Sequence, residues 1–243
     1  MLARRIRRFY KDVGVDSRED GVAITLDGRP VRTPGGALLA VSSPALARAI
    51  AAEWRAQGET VAPHTMPLTQ LASTAIDRTT TLRGAIIDEV MAFAGTDLVC
   101  YRTADPPDLA RRQAEHWQPL LDWVEARFSA PLRTTTTITA VPQPAESLAA
   151  LRVAVEEYDT PHLTVVQCVA ATCGSLVVAL ALTEGRIGPA EAFAAALVDE
   201  TFQNERWGVD EEAARRHESL RADVHAAALF LTLLTAGEED AFG

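Results

Sequence analysis

Lysine is nearly absent from this 243-residue chain, and cysteines and aromatic residues are also scarce. Lys11 is the only lysine, so arginine supplies almost all of the positive charge, and the formal net charge is −10. An acidic protein repels phosphate backbones, so nucleic-acid binding would require a local basic patch. The only evident patch is the arginine-rich start of the chain, from Arg4 to Arg8, and we expect no nucleic-acid partner.

Neither a disulfide framework nor a metal site is indicated. The three cysteines, Cys100, Cys168 and Cys173, are an odd number, which suits free thiols in a reducing compartment. The five histidines are scattered, and none forms a zinc-binding pattern with a neighbouring cysteine or histidine. A nucleophile elbow and a glycine-rich phosphate loop are missing too. We therefore predict a non-enzyme without a cofactor, and an enzyme with a dispersed active site remains the alternative.

No apolar segment follows the first arginines, so no secretory signal is predicted. Leu163 to Leu182 is a run of twenty residues without a charge, which is long enough to cross a bilayer. It contains Gln167 and Gly174, however, lacks aromatic anchors, and is bracketed by Asp159 and Glu184. We interpret it as the central buried helix of a helical domain and predict no integral membrane segment. A peripheral membrane role for this run is a further alternative.

The first part of the chain has strand patterns. Strands are predicted at Phe9–Val13 and Val22–Leu26, with a return strand from Arg29 to Thr33 and another from Ala37 to Val41. Asp27-Gly28 between alternating runs predicts a two-residue hairpin turn, because both turn positions require positive φ.

Helical periodicity dominates from about Thr80 onward. One helix is predicted from Pro189 to Gly208, and a last one, capped by Asp210, reaches Thr235. The fold class is therefore α+β. A β-rich N-terminal domain takes residues 1–80, and a mainly helical C-terminal domain takes residues 81–243.

Two groups of charges are unexplained by a plain core. Arg29 and Arg32 lie on the tight hairpin, where the scaffold needs neither, although a solvated edge strand guarded by charge explains them as well. In the helix from Pro189, Glu200 falls at the border of the apolar face, whereas Asp199 points outside it. A partly desolvated carboxylate requires a partner, either in another chain or within this one. The internal partner would be an arginine, namely Arg206, Arg215 or Arg216.

These places also carry a family resemblance. The N-terminal half contains four similar blocks: Arg8-Phe-Tyr-Lys-Asp-Val13, Leu26-Asp-Gly-Arg-Pro-Val-Arg-Thr-Pro34, Ala49-Ile-Ala-Ala-Glu-Trp54 and Met66-Pro-Leu-Thr69. The C-terminal half adds four more: Asp97-Leu-Val-Cys-Tyr-Arg102, His116-Trp-Gln-Pro-Leu-Leu-Asp-Trp123, Leu180-Ala-Leu-Thr-Glu-Gly185 and Val198-Asp-Glu…Gln203…Trp207-Gly208. Together they resemble the ATP-twelve family of ATP synthase assembly chaperones, also called mitochondrial ATP synthase assembly factor two. The arginine-rich composition resembles its bacterial members.

The resemblance implies a chaperone that binds the unassembled α subunit of the catalytic head until a β subunit replaces it. It also implies a β-rich N-terminal domain and a helical C-terminal domain. A bacterial member would be cytoplasmic, and a eukaryotic one would lie in the mitochondrial matrix. Asp199 and Glu200 match the family's acidic stretch before Trp-Gly, and we expect them to bind the partner together with Arg29 and Arg32. Structural roles are expected for five other residues: Trp54, Trp207, Gly208, Asp27 and Gly28.

Overall fold

The computed structural model describes residues 6–137, 139–208 and 210–236. These residues form two compact units. One unit takes in the described residues up to Leu82 together with those from Leu229 onward, and the other runs from Arg83 to Ala228. Small sheets come first along the chain and helices follow, so the predicted α+β class is confirmed.

The first unit is built around a short antiparallel sheet. Strand β2 (Val13–Arg18) pairs along its whole length with β3 (Gly21–Leu26), and β4 (Arg29–Pro30) and β5 (Ala40–Val41) also pair with β3. A separate two-stranded sheet joins β1 (Ile6–Arg7) to β6 (Thr60–Val61). Four of the six residues of the central strand β3 are buried, because this strand has neighbours on both edges.

Two helices cover this sheet region. Helix α1 (Pro44–Arg55) begins after Ser43, whose side chain accepts a hydrogen bond from the Leu46 amide, and it buries Leu46 and Ile50. Helix α2 (Pro67–Thr74) continues into a π-helical turn at Ala75–Thr79. The Ser43 hydroxyl also donates to the carbonyl of Leu233, 2.5 Å away. That bond fixes the start of α1 against the last turns of the chain.

The second unit is helical. Its first elements are α3 (Arg83–Gly95), a 3₁₀ turn at Leu98–Cys100, α4 (Pro107–Phe128), α5 (Ala145–Glu157), α6 (Thr160–Cys173) and α7 (Leu176–Thr183). Next come α8 (Pro189–Ala196), α9 (Val198–Trp207) and α10 (Glu211–Thr235), which contributes its residues up to Ala228. Helix α7 forms the centre of this unit, because all of its residues from Leu176 to Leu182 are buried.

Three element predictions were wrong. The strand predicted at Phe9–Val13 does not form, because Phe9 and Tyr10 are irregular. The neighbouring strands are β1, which ends at Arg7, and β2, which begins at Val13. The apolar run from Leu163 to Leu182 is two helices, because Gly174 adopts a left-handed φ of 66° and Ser175 caps α7. Gly174 can do so without the steric penalty that a Cβ would add.

The helix predicted from Pro189 to Gly208 also divides, at Leu197. This residue has φ −118° and ψ 22°, outside the helical region, and separates α8 from α9. Both Leu197 and its neighbour Val198 are buried as a result. Adjacent residues on one continuous helix point about 100° apart, so the break allows two consecutive apolar side chains to enter the core.

Candidate functional site

Glu200 lies in the first turn of α9 and contacts the guanidinium of Arg216 and the imidazole of His217, both on α10. One carboxylate oxygen is 3.1 Å from Nη2 of Arg216, and the other is 2.8 Å from Nε2 of His217. The Glu200 side chain is 36% exposed, so the contact is partly shielded from water. The partner that the sequence required for this carboxylate is therefore internal, and Arg216 is one of the three arginines that the sequence offered.

The other two candidate arginines have different neighbours. The guanidinium of Arg206 lies 4.1 Å from the ring centroid of Phe202, and Arg215 is 3.6 Å from the carboxylate of Glu211. Sequence reasoning missed His217. Arg216 lies as many residues after Gly208 as Glu200 lies before it, so an antiparallel pair of helices joined at Gly208 brings these two positions together. That spacing is the signal that could have identified the contact.

Asp199 is held by a buried glutamine of α4. Nε2 of Gln113, which is 2% exposed, donates to Oδ1 of Asp199 at 2.7 Å. The Oε1 atom of the same glutamine accepts from the Thr103 amide at 2.7 Å, and its backbone carbonyl accepts from Arg102 at 3.0 Å. One buried side chain thus ties the start of α9 to α4 and to the loop at residues 102–103.

The rest of α9 is fixed by packing and by a further ion pair. Phe202 is buried, with Arg112 of α4 5.3 Å from its ring centroid. The same arginine approaches Glu205 of α9 to 2.6 Å, and this pair holds the pKa of the Glu205 carboxyl below its usual range. Helix α9 therefore has a fixed position on α4 and α10.

A groove of about 760 Å³ lies between α8, α9 and α10. Its wall residues are Phe193, Thr201, Asn204, Glu205, Ala214, His217, Glu218 and Arg221. Phe193 of α8 meets the His217 ring edge to face at 6.5 Å and carries Arg221 4.6 Å from its centroid. Glu200 is therefore linked to this groove through His217, which is both its hydrogen-bond partner and part of the groove wall.

Trp207 and Gly208 end α9. Trp207, to which the sequence assigned a structural role, is 77% exposed, a placement that does not fit a core contribution. Gly208 has φ 86° and ψ 166°, a backbone region that is essentially restricted to glycine. The turn between α9 and α10 therefore depends on Gly208.

The hairpin that carries Arg29 and Arg32 lies in the first unit. Asp27 and Gly28 have φ values of 49° and 74°, so the predicted turn with two positive-φ positions is confirmed. Oδ1 of Asp27 accepts the amides of Lys11 and Asp12, and these hydrogen bonds lower the pKa of the carboxyl.

The two hairpin arginines are both exposed. Arg32 donates to the carbonyl of Gly36 at 2.7 Å. The side chain of Arg29 forms no hydrogen bond or ion pair with any described residue, although its charge contributes to lowering the pKa of Asp27. Asp77 fixes the loop that follows by accepting from the Thr33 hydroxyl at 2.6 Å and from the Gly35 amide at 2.7 Å. The hairpin therefore carries two exposed arginines, and Asp77 holds the loop that follows them.

Trp54 is half-buried at the end of α1. Its ring meets that of Tyr10 edge to face at 5.8 Å, and its backbone carbonyl accepts from the Tyr10 hydroxyl at 2.7 Å. Leu46 and Ile50, which lie eight and four residues before it on the same helix, are fully buried. Trp54 thus joins α1 to the segment before β2.

Two features are absent from the part of the chain that the structure describes. No helix there combines the length and the apolar character needed to cross a bilayer. No cluster of three or more histidine, cysteine or acidic side chains is arranged there to hold a metal ion.

Comparison with known proteins gives consistent relatives. The model of the ATP12 chaperone protein family matches residues 7–125. The crystal structure of Atp12 from Paracoccus denitrificans has 41% sequence identity to this chain and a TM-score of 0.87. The match covers 94% of this chain and 98% of the Paracoccus protein. For the Atu1473 protein of Agrobacterium tumefaciens the identity is 40%, the coverage 94% and 86%, and the TM-score 0.88. The mitochondrial atp12 protein of Schizosaccharomyces pombe is 26% identical over 219 residues, 85% of this chain and 75% of that protein.

Proposed function

The chain belongs to the ATP12 chaperone family of ATP synthase assembly factors, and from this we propose that it binds the unassembled α subunit of the catalytic head until a β subunit replaces it. The observation that carries the proposal is the similarity to Paracoccus Atp12, which extends over almost all of both chains. The named relatives are chaperones, and the role proposed here involves binding without catalysis or a cofactor. In a bacterium it would take place in the cytoplasm, where the subunits are made.

Physical chemistry gives such a protein a clear task. A subunit that normally lies between two others exposes a large interface when it is alone, and an exposed apolar surface of that size aggregates. A protein that covers this surface keeps the subunit soluble. It needs no ATP turnover to release it, provided that the true partner binds more tightly.

Four residues are proposed to contribute to partner binding. Asp199 and Glu200 lie on α9 and are fixed by Gln113, Arg216 and His217. Arg29 and Arg32 lie on the hairpin, where Arg29 is free to pair with a carboxylate of the partner. We propose two contact areas on this chain, one acidic and one basic. Each would face side chains of opposite charge on the client, and such complementarity contributes specificity.

Co-expression tests the proposal. The α subunit would be produced without the β subunit, with and without this chain, and the soluble fraction would be measured together with co-purification on a tag. We expect α to stay soluble and to co-purify only when the chain is present. The proposal is wrong if α neither binds nor gains solubility. Purification without nucleotide checks that the complex forms without ATP.

Replacing Glu200 with lysine is expected to abolish co-purification of α while the fold is retained. The lysine would stand beside Arg216 and His217, so attraction between α9 and α10 becomes repulsion and the groove wall moves. Because the ion pair is partly exposed, its loss costs only about 1 kcal/mol of unfolding free energy. Circular dichroism would check the fold, and Glu125→Lys on the exposed face of α4 supplies a charge-matched control.

A charge swap separates the two ways in which Glu200 could act. If it serves to position α10, Glu200→Lys combined with Arg216→Glu restores an ion pair and should recover much of the binding. If it touches the partner directly, the double variant should bind as poorly as Glu200→Lys alone. Undiminished binding of the single variant would remove Glu200 from the proposed contact area.

A further inference from the structure

Trp207 is the most exposed of the large hydrophobic side chains described. It is 77% exposed and makes no hydrogen bond, ring contact or cation–π contact with any described residue. A tryptophan carries roughly 150–250 Å² of surface that can be buried, and most of this surface stays in water here. Tryptophan is also among the residues most enriched at the energetic centres of protein interfaces.

The exposed indole stands on a helix that is held firmly. Helix α9 is anchored by the buried ring of Phe202, by the Asp199–Gln113 hydrogen bond and by the ion pairs of Glu200 and Glu205. Its last turn closes with a hydrogen bond of 2.9 Å from the Gly208 amide to the carbonyl of Asn204. The backbone that carries Trp207 is therefore already ordered before binding, which lowers the entropy cost of burying the indole against another protein.

Three consecutive acidic residues, Asp210 to Glu212, begin three positions after Trp207. Asp210 caps α10 by accepting from the Ala213 amide at 2.7 Å, and the helix then begins with Glu211 and Glu212. Glu211 reaches Arg215 only at 3.6 Å and is 94% exposed, and Glu212 pairs with no described residue. Among the described residues, the tip of the α9–α10 hairpin thus combines the exposed indole of Trp207 with exposed negative charge.

We propose that Trp207 is the anchor of the chain–client interface and inserts into an apolar pocket of the α subunit that basic side chains surround. The inference rests on the proposed function and adds the chemistry of the contact. Charge complementarity selects the occupant, because carboxylates beside the indole attract a basic rim. The same carboxylates disfavour a second copy of this chain, since two acidic tips would repel each other.

Trp207→Ala tests the anchor. We expect the dissociation constant of the complex with α to rise about thirtyfold or more, since truncation of a central interface tryptophan has effects of this size. The melting temperature should stay unchanged, because the side chain packs against little of its own chain. Phe9→Ala is the matched control, as Phe9 is an aromatic residue that is 71% exposed in the other unit, and it should bind as the wild type does.

Two further measurements test the pocket and its rim. Wild-type tryptophan emission, minus that of Trp207→Phe, should shift to the blue when α binds, because the indole leaves water. Glu212→Lys should weaken binding several-fold at low salt, and this difference should shrink as salt is raised. The inference is overturned if wild type binds α and Trp207→Ala binds equally well. If wild type does not bind α, the proposed function fails first and the anchor fails with it.

Discussion

Trp117→Ala is expected to lower the free energy of unfolding by about 3–5 kcal/mol, the usual cost of truncating a large buried aromatic side chain. Trp117 is 1% exposed at the middle of α4, and its indole nitrogen donates to the carbonyl of Ala195 at 2.8 Å. That carbonyl belongs to α8 just before the break at Leu197, so the same contact places α8 and α9 on α4. Since natural domains are stable by only about 5–15 kcal/mol, the loss is a large fraction of the total stability.

Chemical denaturation measures this effect. Trp123→Ala on the same helix is the control, because Trp123 is half-buried and meets only the edge of Phe128 at 5.4 Å. Its loss should be clearly smaller than that of Trp117. A change below 1 kcal/mol for Trp117→Ala would contradict the packing described here.

Asp97→Ala is expected to cost about 3 kcal/mol, because Asp97 stabilises the junction between α6 and α7. Its carboxylate is fully buried and accepts from the Ser175 hydroxyl at 2.5 Å and from the Val177 amide at 3.0 Å. Alanine would leave these donors buried without a partner, at about 1–3 kcal/mol for each such group. Thermal and chemical unfolding would measure the loss. Ser17→Ala on exposed β2 is a control in which no buried donor is affected.

The pH dependence of stability gives an independent check on Asp97. Burial raises the pKa of this carboxyl to about 6, although hydrogen bonds to Ser175, Val177 and Val99 oppose the rise. A raised pKa means that the folded state binds the proton more tightly, so the stabilisation is present at acid pH and is lost as pH rises through 6. Between pH 7.5 and 4.5 wild type should gain about 2 kcal/mol relative to Asp97→Asn. A gap between the two proteins that does not change with pH would refute the raised pKa.

Local chemistry allowed much of the fold to be predicted. The Asp27-Gly28 turn followed from a requirement for positive φ that few residues meet, and the structure has positive φ at both positions. The last helix is capped by Asp210 and ends at Thr235, as its pattern predicts. These elements are decided by a few adjacent residues, so the sequence alone contains the necessary information.

The failures arose where tertiary contacts decide the local structure. The run from Leu163 to Leu182 has the composition of one helix, and Gly174 within it is compatible with either one helix or two. The buried carboxylate of Asp97, remote in sequence, binds the first amides of α7 and so stabilises the break. The sequence of the run from Leu163 to Leu182 gives no indication that Asp97 binds there.

The candidate site was predicted in part. Glu200 was expected to have a partner, and Arg216 was among the candidates. The sequence did not reveal that His217 of α10 also contacts Glu200, or that Gln113 of α4 donates to Asp199. A structural role was expected for Trp207, and in the structure its side chain is 77% exposed at the end of α9. The break at Leu197 changes the helical phase, and with it the direction in which the end of α9 points.

Displacement by the β subunit tests the central claim most directly. A purified one-to-one complex of this chain with the α subunit would be mixed with the β subunit in the absence of ATP and separated by size. The account predicts that α moves into a complex with β while this chain is released, because both occupy the same surface of α. A stable complex of all three, or a chain that never binds α, would contradict the account.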